Sequence, residues 1–363
     1  MKRTKCIALP ASFIAAGVLL LLGGSAQGET ARVTNPATPE PIRNQGYQLV
    51  WQDDFDGPAG SPADPKRWNH FDLGKRHDVF NVEEACRLDG HGHLVITIRH
   101  HNKRVETGGV TSVFAATHGY FECRCQFQHS KGLWSAFWLM PSGALGMPET
   151  MNTLGVEIDV HEHLVKAENV FRSTIHWGGY DPAHHQKAMA TMKVPKLGVG
   201  FHTIAVRWDE RGYFFYADGQ HAQRVEAPVS NVPEYMLLTC EGGKVGTSNW
   251  AGDLGKAKLP DSFVIDWVRV WQTPAQQAAD QKRKAQKAPE NVVRVLFKKR
   301  SIGCTALQAQ KPAKDARPKM VGVSGYKKIF DLTRRAFLEM WRGHAGPERN
   351  EPRSGKMAIN EHK

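Results

Sequence analysis

The sequence predicts an all-β chain folded as a two-sheet antiparallel β-sandwich, a jelly roll, with a basic and mostly disordered C-terminal tail. Three observations carry this. Ten short apolar or alternating runs recur between residues 47 and 272, turn-forming Gly, Pro, Asp and Asn separate them, and no helical periodicity interrupts them. Short strands joined by turns without intervening helices bury their apolar faces by stacking as two sheets. The chain's 363 residues, 41% apolar with 10 Trp and 16 Phe, suffice for such a core and exclude a disordered or collagen-like protein.

Taken in order, residues 1–28 read as a signal peptide. Lys2, Arg3 and Lys5 precede an apolar run from Ile7 to Leu22 and the small residues Gly23, Gly24, Ser25 and Ala26. The run contains Pro10 and Gly17 and is short for a membrane span of about 20 residues, so a secreted protein, extracellular or periplasmic, is expected. Residues 29–46, with Pro36, Pro39 and Pro41, read as an extended linker. Strands are expected at 47–51, 94–98, 120–127, 133–140, 156–160, 173–177, 202–208, 213–217, 235–240 and 263–271, within a domain over 47–272. The pairs Asp89-Gly90, Asp218-Gly219 and Gly242-Gly243 mark turns between them.

Residues 273–363 carry 21 basic against 8 acidic residues and too few aromatics for a core. Within this tail Tyr326, Ile329, Phe330, Phe337, Met340 and Trp341 recur near helical spacing, a candidate amphipathic helix near 326–341 for weak contact with an anionic surface. The formal charge of +12 resides in the ends, since 29–272 holds 24 basic and 28 acidic residues. No nucleic-acid partner is expected of an acidic domain. Five cysteines follow Cys6, an odd number that cannot pair completely within one chain. Cys123 and Cys125 alternate with polar residues beside Phe121 and Phe127, as buried small hydrophobes on a strand do.

The chemistry concentrates in Gly155-Val156-Glu157-Ile158-Asp159-Val160-His161-Glu162-His163. Three acids in an apolar strand are costly unless they face a cleft or one another. Glu157 and Asp159 share a face of a regular strand, and Glu162 faces away from them. A β-bulge around Val160 or His161 would turn Glu162 onto the same face. Two carboxyls so placed, with a third between them, provide the nucleophile and acid/base of retaining glycoside hydrolysis. Calcium binding is the rival for such a cluster, but a calcium loop uses Gly and Asn/Asp turns, not strand residues. Trp134 and Trp138, four apart, share a strand face and offer flat platforms to sugar rings; His176 and Trp177 form a weaker pair of the same kind.

Glu157-Ile158-Asp159-Val160-His161-Glu162 resembles the E-x-D-x-x-E signature of glycoside hydrolase family 16. The resemblance extends over about 47–272. It takes in Leu49–Gly57, His118-Gly119-Tyr120-Phe121-Glu122, Gly132–Trp138, Phe201-His202-Thr203, Tyr216-Ala217-Asp218-Gly219 and Val264–Trp271. It implies a β-jelly-roll endo-hydrolase of β-glucans or galactans, with Glu157 as nucleophile, Glu162 as acid/base and Asp159 tuning both. The bulged spacing is similar to the laminarinase, agarase and carrageenase branches. Two departures bear on substrate: Ser135 where laminarinases read Pro, and Met151–Val156 in place of Trp-Pro-x-x-Gly before the acids. The resemblance further implies a structural calcium held by Asp266 and the Asp53-Asp54 segment, here Asp54, against which an ion pair with an arginine competes.

The expectation is a secreted retaining endo-glycosidase of internal β-linkages, foremost β-1,3-glucan, acting as a monomer on a polysaccharide and requiring no cofactor. Substrate-binding residues would be Trp134, Trp138, His176 and Trp177. A galactan hydrolase of the agarase or carrageenase type and a non-catalytic carbohydrate-binding jelly roll are the alternatives.

Overall fold

The computed structural model describes residues 36–180, 182–190, 192–247 and 250–286. The chain divides into two units, Met1–Ala37 and Thr38–Lys363. The expected signal peptide, most of the tail, Cys304 and the candidate helix near 326–341 lie outside the described residues.

Within the second unit the fold is a sandwich of seven-stranded and eleven-stranded sheets. The seven-stranded sheet runs His185–Ala188, Thr174–Trp177, Glu157–Leu164, Leu133–Pro141, Glu234–Gly242, Gly109–Ala116 and Trp68–His70 in spatial order. The larger sheet runs Gln220–Val225, Gly212–Ala217, His202–Asp209, Gly119–Gln126, Asp261–Gln272, Leu94–His101, Arg104–Thr107, Val79–Asn81 and Gly74–Arg76. Gln48–Asp53 joins Asp261–Gln272, and Cys86–Leu88 joins Leu94–His101. Among the described strands of these two sheets, pairing is antiparallel except between Val79–Asn81 and Arg104–Thr107. A strand occupies or overlaps each of the ten expected runs. At Asp218-Gly219 both residues have positive φ, 49° and 77°, as a two-residue hairpin turn requires.

The core fills the space between the sheets with alternate side chains from each, including Phe121, Phe127, Phe137, Phe215, Phe263 and Trp208. Each such fully buried ring contributes about 1.5–3 kcal/mol of transfer free energy. Cys123 and Cys125 are completely buried on the strand between Phe121 and Phe127, and Cys86, Cys123, Cys125 and Cys240 are all free thiols.

Two segments differ from expectation. Ile42, in the linker, is fully buried against Tyr120, Tyr216 and Trp271, because the outer face of the larger sheet presents an aromatic patch that needs cover. Residues 274–286, expected as tail, form a helix. It opens on a reciprocal cap: Gln276 N–H donates to Thr273 Oγ1 at 3.3 Å, and Thr273 N–H donates to Gln276 Oε1 at 2.9 Å. Pro274 stands at the first helical position, where its missing N–H costs nothing. Buried Asp280 accepts from the Thr117 N–H at 3.0 Å and from Gln272 Nε2 at 2.9 Å, which ties the helix to the last strand.

Candidate active site

The acidic strand Glu157–Leu164 lies beside the tryptophan strand Leu133–Pro141, and their register contains one irregularity. Phe137 pairs with His161 and Trp138 with Asp159, so Val160 is the extra residue. This is the expected bulge, and its effect is the expected one. Val160 and His161 are both completely buried, His161 packing on Phe127 and Phe171, so the face alternation skips once. Glu157, Asp159 and Glu162 consequently line one cleft of about 150 Å³ with Trp134 and Trp138. The tryptophans are held edge-on. Trp138 Nε1 donates to Thr239 Oγ1 at 3.1 Å and its ring meets Phe71; Trp134 meets His77 and Trp250.

His176 pairs with Glu157 across the neighbouring strand, and its Nε2 lies 3.1 Å from Asp159 Oδ2. Trp177 does not join the cleft. As the next residue along the same strand it points to the opposite side, where it packs on the core and on His185. Ser135 behaves likewise: completely buried between the two tryptophans, it donates to Gln128 Oε1. That departure from the laminarinase pattern therefore faces the core and not the cleft.

The cleft also holds residues that the motif does not contain. Arg76 makes a two-pronged bond to Glu241, 2.7 and 3.1 Å, and lies 3.5 Å from Asp72; His77 Nε2 is 3.5 Å from the same Glu241. Tyr180 donates its hydroxyl to Glu157 Oε2. Phe71, Met140 and Trp250 complete the wall.

The electrostatics separate the acids. Burial pushes Glu157 well above the ordinary carboxylate range, the negative charges of Asp159 and Glu162 add to this, and His176 and Arg76 oppose it. Burial, then Asp159 and Glu241, push Glu162 up in the same way. Asp159 is raised to about 8 by burial and by Glu241. For Glu241 burial acts upward too, but the Arg76 guanidinium and then the Arg76 and His77 hydrogen bonds outweigh it, and the group is lowered to about 2. Burial and mutual repulsion thus disfavour ionising all three acids of the triad at once, beside a Glu241 that is lowered. One ligating atom each from Glu157, Asp159 and His176 falls within 4.8 Å of the others. In the same cluster Tyr180 donates to Glu157, and His176 Nε2 stands 3.1 Å from Asp159 Oδ2.

The two acids offered to calcium face guanidinium groups. Asp266 pairs with Arg124 and lies 4.0 Å from His93, and Asp54 pairs with Arg269 at 3.2 Å. Each carboxylate thus faces a guanidinium, the arrangement that the ion-pair alternative requires. In the closing strand this pair offsets the cost of a half-buried carboxylate.

Fold and site together define a jelly-roll protein of the glycoside-hydrolase type. The chain belongs to the glycosyl hydrolases family 16, whose model matches residues 74–269. Among curated relatives it is 29% identical over 257 residues to a keratan-sulfate endo-1,4-beta-galactosidase of Sphingobacterium multivorum, covering 64% of this chain and 57% of that protein. It is 26% identical over 260 residues to a beta-glucanase of Rhodothermus marinus, covering 62% of this chain and 85% of that one. The structure of the laminarinase from Rhodothermus marinus superposes with a TM-score of 0.51 at 23% identity, over 62% of this chain and 97% of that one, a likeness of fold. Among the described residues no helix is long and apolar enough to cross a membrane.

Proposed function

We propose that this protein is an exported, retaining endo-glycosidase that cuts internal β-linkages of a polysaccharide, foremost β-1,3-glucan. The observation that supports it best is the single face shared by Glu157, Asp159 and Glu162 between Trp134 and Trp138. Stacked on the indoles, a glucan chain would lay one glycosidic bond over the acids. Glu162, kept protonated by burial and by the Asp159 charge, gives its proton to the leaving oxygen. Glu157 attacks the anomeric carbon from the other side and forms a glycosyl-enzyme. Deprotonated Glu162 then takes a proton from water, which releases the sugar with its configuration retained. The Tyr180 hydroxyl donor and the Arg76 charge favour an ionised, attacking Glu157. Asp159, when ionised, adds to burial in holding the proton on Glu162.

A galactan substrate is the second reading, favoured by the likeness to the keratan-sulfate endo-1,4-beta-galactosidase. Release of reducing ends from laminarin, lichenan, agarose and carrageenan separates the two, and binding without release would identify a carbohydrate-binding module. Glu157→Gln should abolish turnover. Glu162→Gln should slow substrates with poor leaving groups far more than activated aryl glycosides, and fresh product should be the β-anomer by NMR. Equal loss on both substrate types, or an α-anomer, refutes the assignment. N-terminal sequencing of the released protein tests export.

A further inference from the structure

The strands Thr174–Trp177 and His185–Ala188 are joined by a loop that folds back on itself at Gly178, where φ is +79° and an added Cβ would lie 2.3 Å from the Ala183 carbonyl oxygen. Only glycine permits that approach. The fold-back brings His184, which precedes the returning strand, against His176. Their nitrogens, His184 Nε2 and His176 Nδ1, are 2.9 Å apart. The rings are within 5° of parallel with centroids 5.1 Å apart, so they meet edge to edge, nitrogen to nitrogen. The other nitrogen of His176 faces Asp159 Oδ2 at 3.1 Å. Three groups thus stand in a row, and the outermost lies in none of the motifs above.

We propose that His184 is a positioning residue: its Nε2–H donates to Nδ1 of His176, fixing His176 as the tautomer that carries its proton on the nitrogen 3.1 Å from Asp159. A neutral imidazole has one donor and one acceptor nitrogen, and the partner of one decides what the other presents. Were His176 to donate from Nδ1 instead, its Nε2 lone pair would face the Asp159 carboxylate. The groups around His176 argue against that order. Glu157 is its cross-strand partner, Asp159 and Glu162 act on it from the acidic strand, and His184, with Tyr180 beside it, approaches from the loop. A donor, not a lone pair, suits this acidic surrounding. A protonated nitrogen on that side favours the ionised form of Asp159, whose charge adds to burial in keeping the proton on Glu162. The inference rests on the reading of Glu157, Asp159 and Glu162 as the reacting acids.

The test uses the full chain and two variants, His184→Leu, which removes the donor, and His184→Gln, whose side-chain amide can replace it. The ring nitrogens of His176, assigned by their disappearance in His176→Gln, report the tautomer in two-bond nitrogen–proton correlation spectra. Wild type should show protonated Nε2 and bare Nδ1, His184→Leu should lose this pattern, and His184→Gln should recover it. On a substrate that wild type cleaves, the acid limb of kcat/KM should move up by about one pH unit in His184→Leu and return in His184→Gln. Protonated Nδ1 in wild type, or His176 spectra unchanged by His184→Leu, overturns the proposal. A wild type inactive on every polysaccharide would refute the functional reading alone, because the spectra decide the role of His184 without turnover.

Discussion

Glu241→Gln removes the cleft carboxylate that its surroundings keep ionised. In the native state Arg76 and His77 lower this group from 4.5 to about 2, and its side chain is only 6% exposed. At about 1.4 kcal/mol for each pH unit, that displacement corresponds to about 3 kcal/mol of stability at neutral pH. The folded value lies below the unfolded one, so the contribution is complete above roughly pH 5 and is lost as pH falls through about 4.5 towards about 2. Guanidinium unfolding of wild type and Glu241→Gln at pH 7 and pH 3 reads the difference directly. A gap of about 3 kcal/mol at pH 7 should shrink to about 1.4 kcal/mol at pH 3. Arg76→Met, which strands the buried Glu241, should cost about 3–5 kcal/mol, and adding Glu241→Gln should recover part of the loss. A gap below about 1 kcal/mol at pH 7, or one that does not shrink with acid, would refute the electrostatic account and leave the pair a packing contact.

Three further outcomes are expected. Trp138→Ala should raise KM for a soluble oligosaccharide about tenfold, whereas Trp177→Ala should leave KM unchanged and lower stability by about 3 kcal/mol in denaturant titration, as a truncated core ring does. Thermal melts should have the same midpoint with chelator and with added calcium, while Asp266→Asn should lower it by the worth of a partly exposed ion pair, about 1 kcal/mol; a calcium-dependent rise lost in Asp266→Asn would place a metal there. A chain ending at 272 should be about 1–3 kcal/mol less stable than one ending at 286, because the Thr117 N–H and the Gln272 amide lose Asp280; equal midpoints in scanning calorimetry would show the helix to be dispensable.

The strands and the triad are legible because both are written in local pattern. Period-two alternation marks a half-buried strand, and the spacing of five between Glu157 and Glu162 already demands an irregularity that the register shows at Val160. Trp177 is misplaced when counted with His176, because adjacent strand residues cannot share a face. Arg76, His77, Tyr180, Glu241 and Trp250 reach the cleft from strands and loops far apart in the chain. A lone charge in a strand has no periodic neighbour to announce it, so only the tertiary fold could assemble them. The helix at 274–286 is a different case. Its start is readable in Thr273-Pro274 with Gln276 at the third helical position, but the surrounding Lys, Arg and Gln mask it. Ile42 is hidden by proline-rich neighbours, and its burial depends on an aromatic patch assembled from three strands distant in sequence.

The bulge at Val160 has a consequence for how this strand can change over evolutionary time. Deleting Val160 would leave Glu157, Asp159 and Glu162 at alternate positions, still on one face. The deletion would instead take a side chain from the buried side, where Val160 and His161 now stand consecutively. The two sides of the strand are thus separable in heredity: a single codon gained or lost here re-sizes the interior while preserving the order and common direction of the three acids. A chain with the shorter strand would differ in packing, and so in the setting of the neighbouring tryptophan strand, while keeping every acid in the cleft.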